Sequence, residues 1–138
     1  AVTLPGFRPV PDHRVALVGA RDVDAGERAA LAGAGVTLVP VASVGMLGGI
    51  LRRTLAGAEA AVAHVDLDVL DPDAVGAANA YAAPGGLSAE GLVEAVRAVR
   101  DALPVRAATL SAYDPAGDPE ARVARVALDV ARVLVGVP

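Results

Sequence analysis

The chain predicts one α/β domain, a three-layer αβα arrangement with a mostly parallel sheet. Three observations point there. Short apolar runs alternate with segments of helical period, the pattern of successive βαβ units. Hydrophobic residues are 54% of the chain but aromatics only 2%, so Ala, Val, Leu and Gly do the packing, which suits helices lying close on a sheet. The 138 residues allow a single domain with one sizeable core.

Residues 1–13 form an incoming connection. Pro5, Gly6, Pro9 and Pro11 forbid regular structure through Asp12. Arg14 to Ala20 is a first buried strand, with Arg21-Asp22-Val23-Asp24 at its C-terminal end. Asp24 and Glu27 form a capping-box pattern for a helix of about ten residues, closed by Gly33 and Gly35. Val36 to Val41 is a second, β-branched strand. Ser43 or Gly45 opens a helix to about Leu55, whose Arg52 and Arg53 suit the negative end of its dipole. Ala60 to Asp66 is the third strand. Asp71 to Pro84 is a long loop of small residues that allow close backbone approach, as an active-site loop needs. Ser88 caps a helix to about Ala102. Val105 to Ala112 is the fourth strand, followed by Tyr113-Asp114-Pro115. A last helix covers about Pro119 to Val135; Val123, Val126, Ala127, Val130, Val133 and Leu134 keep a 3.6 period.

Charge and composition narrow the function. The net charge of −4 is dispersed, with no basic stripe or aromatic platform for nucleic acid. There is no cysteine, hence no disulfide framework and no thiolate chemistry. No apolar run reaches about 18 residues, so no membrane span is expected. The first residues lack a signal-peptide pattern, and a soluble cytoplasmic protein is the expectation.

In a parallel sheet, function gathers at the carboxyl ends of the strands. Asp22, Asp66, Asp68 and Asp114 all fall there. The third strand runs into His64-Val65-Asp66-Leu67-Asp68-Val69-Leu70-Asp71-Pro72. A strand alternates faces with period two, so Asp66 and Asp68 point the same way. Two ionised carboxylates beside an apolar core are costly unless a cation or a proton is shared between them. Oxygen ligands suit Mg and Mn. One reading is a metal-binding strand tip; the other is two solvated aspartates capping the next turn.

Asp66-Leu67-Asp68-Val69-Leu70-Asp71-Pro72 followed by Pro84-Gly85-Gly86-Leu87-Ser88 resembles the ureohydrolase signature of arginase, agmatinase and formiminoglutamase. Val18 to Asp24 and Tyr113-Asp114-Pro115 also look like family segments. The resemblance covers nearly the whole chain but only the C-terminal half of a family member. It implies a binuclear Mn2+ site that hydrolyses a guanidinium or amidino compound and releases urea. Two metals acidify a shared water and direct it at the guanidinium carbon. By the matching positions Asp66 bridges the two ions and Asp68 holds one. Asp71 is no ligand in that pattern and fixes its turn through local hydrogen bonds.

Two departures from the family follow. Its upstream Gly-Asp-His and Asp-x-His-x-Asp segments, which supply the other ligands, do not occur here. The site is therefore incomplete in this chain, and the isolated chain is expected to be inactive. The family's Glu at the last strand end, a guanidinium contact, is Ala112 here. The resemblance also implies a strand from the missing N-terminal half beside the motif strand. Without it the sheet has a gap or an exposed edge, which invites pairing in a homo-oligomer or a domain swap.

Other residues have plainer readings. His64 shares a face with the aspartates and is a possible third ligand, though a hydrogen-bonded core histidine is favoured. His13 is expected to be exposed. Arg21 is expected to pair with Asp22, Asp24 or another subunit rather than bind an anion. Gly45, Gly48 and Gly49 lack the Lys-Ser/Thr of a phosphate loop and suggest close helix packing. Gly85-Gly86 is a tight turn. Asn79 and Tyr81 are the polar groups of the long loop and could face a ligand. The alternative function is a non-catalytic arginase-fold fragment serving as an assembly or binding module. A dehalogenase-like phosphatase also uses Asp-x-Asp after a strand, but that motif wants Thr where Leu70 stands.

Overall fold

The computed structural model describes residues 5–137. Ala1 to Leu4, the start of the expected irregular connection, lie outside the described residues. From Pro5 the connection is irregular as expected until a 3-10 turn at Asp12–Arg14.

Four strands and four helices alternate. They are β1 (Ala16–Val18), α1 (Ala25–Ala34), β2 (Thr37–Val39), α2 (Leu47–Thr54), β3 (Ala61–Asp66), α3 (Ala89–Ala102), β4 (Val105–Ser111) and α4 (Arg122–Val135). All strand pairing among the described residues is parallel. The caps fall where side-chain chemistry puts them. Asp24 accepts from Glu27 N at 2.8 Å, and Ser88 accepts from Gly91 N at 3.0 Å. Gly35 ends α1 in the left-handed region, φ 77°.

Several boundaries differ from the periodicity. β1 and β2 keep three residues each. Val41–Met46 is a 3-10 segment, so α2 starts only at Leu47. Gly48 and Gly49 are not close-packing positions: a Cβ on either would meet only an arginine of the same helix. α4 starts at Arg122, because Ala121 has φ 52° and the backbone turns sharply before it.

The core lies along α3. Val65, Leu67, Leu70, Leu87, Leu92, Val96, Val123, Val126 and Val130 form its larger part. Val39, Leu47, Leu51 and Ala95 form a smaller one. Leu92, Ala95 and Val96 occupy one helical stripe, so α3 serves both and packs against α2 and α4. α4 buries Val123, Val126 and Val130, and Ala127, Val133 and Leu134 pack against the core, which is the face its period predicts.

The sheet is interrupted. β1 pairs with β2, β3 pairs with β4, and no strand pairing joins the two pairs among the described residues. In β3 Ala63 and Val65 are buried while Val62, His64 and Asp66 are exposed, Val62 by 75%. β1 and β4 are more exposed than a buried strand: Leu17 is exposed, as are Arg106 to Thr109. No helix of the described residues is long and apolar enough to cross a membrane.

Candidate metal centre

β3 ends at Asp66, not beyond it. The Asp66 carboxylate accepts from Asp68 N at 2.9 Å and closes a 3-10 turn, Leu67–Val69. The two aspartates are thus not successive same-face positions of one strand, as alternation predicts. Asp66 ends the strand and Asp68 rides on the turn. Leu67 and Leu70, 2% and 1% exposed, anchor that turn in the core on either side of Asp68.

The two carboxylates have different surroundings. Asp66 is exposed and spends Oδ1 on its turn. Asp68 is half-buried, and its Oδ1 is shielded from water with no donor. Burial pushes the Asp68 carboxyl above its ordinary value, the Arg21 guanidinium opposes that, and the Asp66 charge adds to the rise. A shielded carboxylate oxygen without a donor is what a cation would satisfy.

Asp71 does what was expected of it. Its Oδ1 accepts from Asp73 N at 3.0 Å and its carbonyl from Val75 N at 2.9 Å. The turn is then locked to the glycine pair. Leu87 N donates to Val69 O at 2.8 Å, and Asp71 N donates to Leu87 O at 2.9 Å. Gly86 has φ 132°, and a Cβ there would sit 2.5 Å from Val69 O and 2.7 Å from Asp71 N. No side chain fits. The two separated halves of the motif are therefore one structure, with the second half hydrogen-bonded to the end of the first.

The long loop between them is packed rather than free. Val75 and Ala78 are buried. Asn79 Nδ2 donates to Ala112 O at 3.0 Å, and Asp114 N donates to Ala78 O at 2.8 Å. Asn79 is thus a clamp on the end of β4. Tyr81 is 91% exposed, and its main-chain N donates to Asn79 Oδ1 at 2.8 Å.

His64 corrects its favoured reading in part. Its ring is hydrogen-bonded, Nδ1 with Thr109 Oγ1 at 2.6 Å and Nε2 with Ser111 Oγ at 3.3 Å, but the residue is exposed and not in the core. Both ring nitrogens are engaged by β4. Among the described residues no group of three or more His, Cys, Asp or Glu side chains is placed to hold a metal ion. His13 is exposed, as expected.

Within the chain, Arg21 does not make the pairings expected of it. It forms no ion pair with Asp22 or Asp24. One guanidinium nitrogen, Nη2, donates to Asp68 O at 2.7 Å and to Ala83 O at 2.9 Å. Arg21, Leu17, Val18, Asp66, Asp68 and Ala83 are among the residues lining a cleft of about 300 Å3 between the ends of β1 and β3. A larger groove of about 920 Å3 lies between α3 and α4, but no residue of the motif lines it.

Sequence reasoning missed Asp118. It is 7% exposed, and its carboxylate accepts from Arg122 N at 2.8 Å, Ala124 N at 3.0 Å and the Tyr113 hydroxyl at 3.2 Å. These bonds hold the Asp118 carboxyl below its ordinary value against the opposing effect of burial, while burial and the Asp118 bond raise the Tyr113 hydroxyl. The Asp118-Pro119 step before a helical period was its only signal.

The family model of the arginase family matches residues 7–136. No curated protein matches. The fold is similar to that of arginase from Bacillus subtilis, at 22% identity and TM-score 0.85, covering 96% of this chain and 49% of that one. It is also similar to a hypothetical agmatinase from Burkholderia thailandensis, at 21% identity and TM-score 0.76, covering 92% and 39%. Proclavaminate amidino hydrolase from Streptomyces clavuligerus matches at 25% identity and TM-score 0.72, covering 89% and 41%. The chain spans half or less of the length of each.

Proposed function

The chain belongs to the arginase family, and on that premise we propose that it carries part of the site of a manganese-dependent amidinohydrolase. The reaction of the whole protein is hydrolysis of a guanidinium or amidino compound with release of urea. Asp66 and Asp68 are the residues of this chain that would hold metal. The observation that carries the reading is Asp68 Oδ1, a shielded acceptor with no donor, next to a second carboxylate.

When bound, a pair of divalent ions supplies an activated water for attack on a planar guanidinium carbon. The chain's own residues prepare the place. Leu67 and Leu70 hold the turn rigid from below. The Asp66 turn bond fixes the spacing of the carboxylates. Gly86 lets the 84–88 segment pair with the turn and keep it from opening. Ala112 leaves a methyl where the family pattern has a Glu, so the substrate's contacts at that position differ from those of the pattern.

The rest of the site comes from outside this chain. The break between β1 and β3 supports this, since the unpaired strand edges and the carboxylates lie at one cleft. The partner is the other half of the family fold or, failing that, a second copy of the chain. The isolated chain is expected to release no urea. The alternative, a non-catalytic module of the same fold, is favoured by the absence of a three-ligand cluster among the described residues.

A Mn2+ titration of the chain by calorimetry, with Asp66→Asn alongside, tests the metal reading. Binding that is lost in the variant supports it. Urea released from arginine or agmatine by the isolated chain, and lost in Asp66→Asn, would sink the claim of inactivity. A stable monomer in light scattering would count against self-association.

A further inference from the structure

We infer that Arg21 is a positioning residue of this centre, holding the main chain beneath Asp68 so that its carboxylate stays free for a cation. The inference rests on the metal reading above and adds a residue to it.

Arg21 belongs to a different part of the chain from the aspartates it serves. It follows β1, and Gly19 just before it lies so close to the motif turn that a Cβ there would be 2.6 Å from Val69 Cγ2. From that position the side chain reaches the motif. Nη2 donates to two carbonyls at once, Asp68 O at 2.7 Å and Ala83 O at 2.9 Å. One carbonyl belongs to the turn carrying the carboxylate. The other stands just before the glycine pair. A single planar guanidinium thus ties the end of β1, the aspartate turn and the far end of the long loop.

The choice of acceptor matters. An arginine beside a half-buried aspartate would ordinarily pair with its carboxylate, often through two bonds. Here the only ion pairs among the described residues are Arg122–Glu120 and Arg132–Asp129. Arg21 donates to the Asp68 carbonyl through Nη2 alone, while Arg21 Nε and Asp68 Oδ1 both stay shielded and without a partner. The cation is held at the backbone and the carboxylate is left for another one. Groups that orient a ligand without touching the metal commonly change affinity by about tenfold to a hundredfold.

The test uses the full chain with Mn2+ alone as the probe. Affinity is measured by calorimetry, and the site is identified by Mn2+-induced broadening of the Asp66 and Asp68 NMR signals. Arg21→Met is expected to weaken binding by about tenfold or more and to spread the broadening beyond the two aspartates. Arg21→Lys, which keeps a donor, should recover part of the affinity. Asp118→Ala, which strands the first amides of α4 at a residue that does not line the cleft, should lower thermal stability and leave Mn2+ affinity unchanged. That control separates positioning from general loosening. Affinity and broadening in both Arg21 variants within twofold of the parent would overturn the inference while leaving the metal reading intact. No selective broadening in the unmodified chain would overturn the inference, since Arg21 would then prepare no cation site in this chain.

Discussion

β3 and β4 lie side by side and end alike, yet their ends put carboxylates to opposite uses. Each strand runs into a 3-10 turn closed by an aspartate, Asp66 on Asp68 N and Asp114 on Ala116 N, both at 2.9 Å. Past the β4 turn, Asp118 is buried and saturated by two backbone amides and a tyrosine hydroxyl. On the β3 turn, Asp68 has a shielded oxygen with no donor. Burial acts on both carboxyls in the same direction, but its outcome is reversed by hydrogen bonding, lowering one and leaving the other raised. A satisfied carboxylate builds the fold. The unsatisfied one, held in place by Leu67 and Leu70, is the one on which the proposed metal site rests.

The largest effect is expected where the β3 end is locked. Gly86→Ala would put a methyl 2.5 Å from Val69 O at a φ of 132°. The 84–88 segment must then leave the turn, at a cost of about 3 kcal/mol or more. Urea unfolding measures it. A variant as stable as the parent would mean that the two motif halves are not knitted as described.

At the β4 end the corresponding change is Asp118→Ala. It strands the amides of Arg122 and Ala124 at the start of α4, where Ala121 supplies no side-chain cap. The expected loss is about 2–3 kcal/mol. Asp68→Asn should behave in the opposite way, leaving the metal-free chain as stable as before or more so while removing Mn2+ binding. Equal destabilisation by the two substitutions would erase the contrast between the strand ends.

Acid titration sharpens the same contrast. The Asp118 carboxyl is lowered from 3.8 in the folded chain, so its contribution is full above that value and is lost as pH falls through the folded value. The Asp68 carboxyl is raised from 3.8, so the folded state takes up its proton first. Its ionisation costs stability as pH rises from 3.8 through the folded value. Urea unfolding from pH 3 to 7 should therefore show a weaker acid loss in Asp118→Asn. In Asp68→Asn the gain over the parent should grow with pH.

Much of this was legible in the residues. The alternation of strands and helices, the Asp24 and Ser88 caps and the Asp71 turn follow from local chemistry, and local chemistry decides them in the fold. The α4 face follows from its period. What was illegible depends on contacts distant in sequence. Arg21 finds carbonyls at 68 and 83 rather than the aspartates beside it. His64 is in period with Asp66, but Thr109 and Ser111 on the neighbouring strand take its ring. Alternation placed Asp68 on the strand face because it has no way to foresee the turn that Asp66 closes on itself.

The smallest effect is expected at Ala112, where the β4 end holds strain instead of a vacant acceptor. Ala112 has φ 61°, and its carbonyl accepts from Asn79. A left-handed backbone disfavours any side chain with a Cβ by roughly 1–2 kcal/mol, and glycine gives back part of that gain through its freer unfolded chain. Ala112→Gly should therefore stabilise the chain by up to about 1 kcal/mol, read as a higher urea midpoint at unchanged slope. It should leave Mn2+ affinity alone, because the Asn79 clamp needs only the Ala112 carbonyl and the carboxylates sit on the other strand end. A loss of stability would mean that the Ala112 methyl is held by packing that outweighs the strain. A change in Mn2+ affinity would mean that the two strand ends are coupled through the 71–86 loop, and the division between a structural end and a binding end would have to be redrawn.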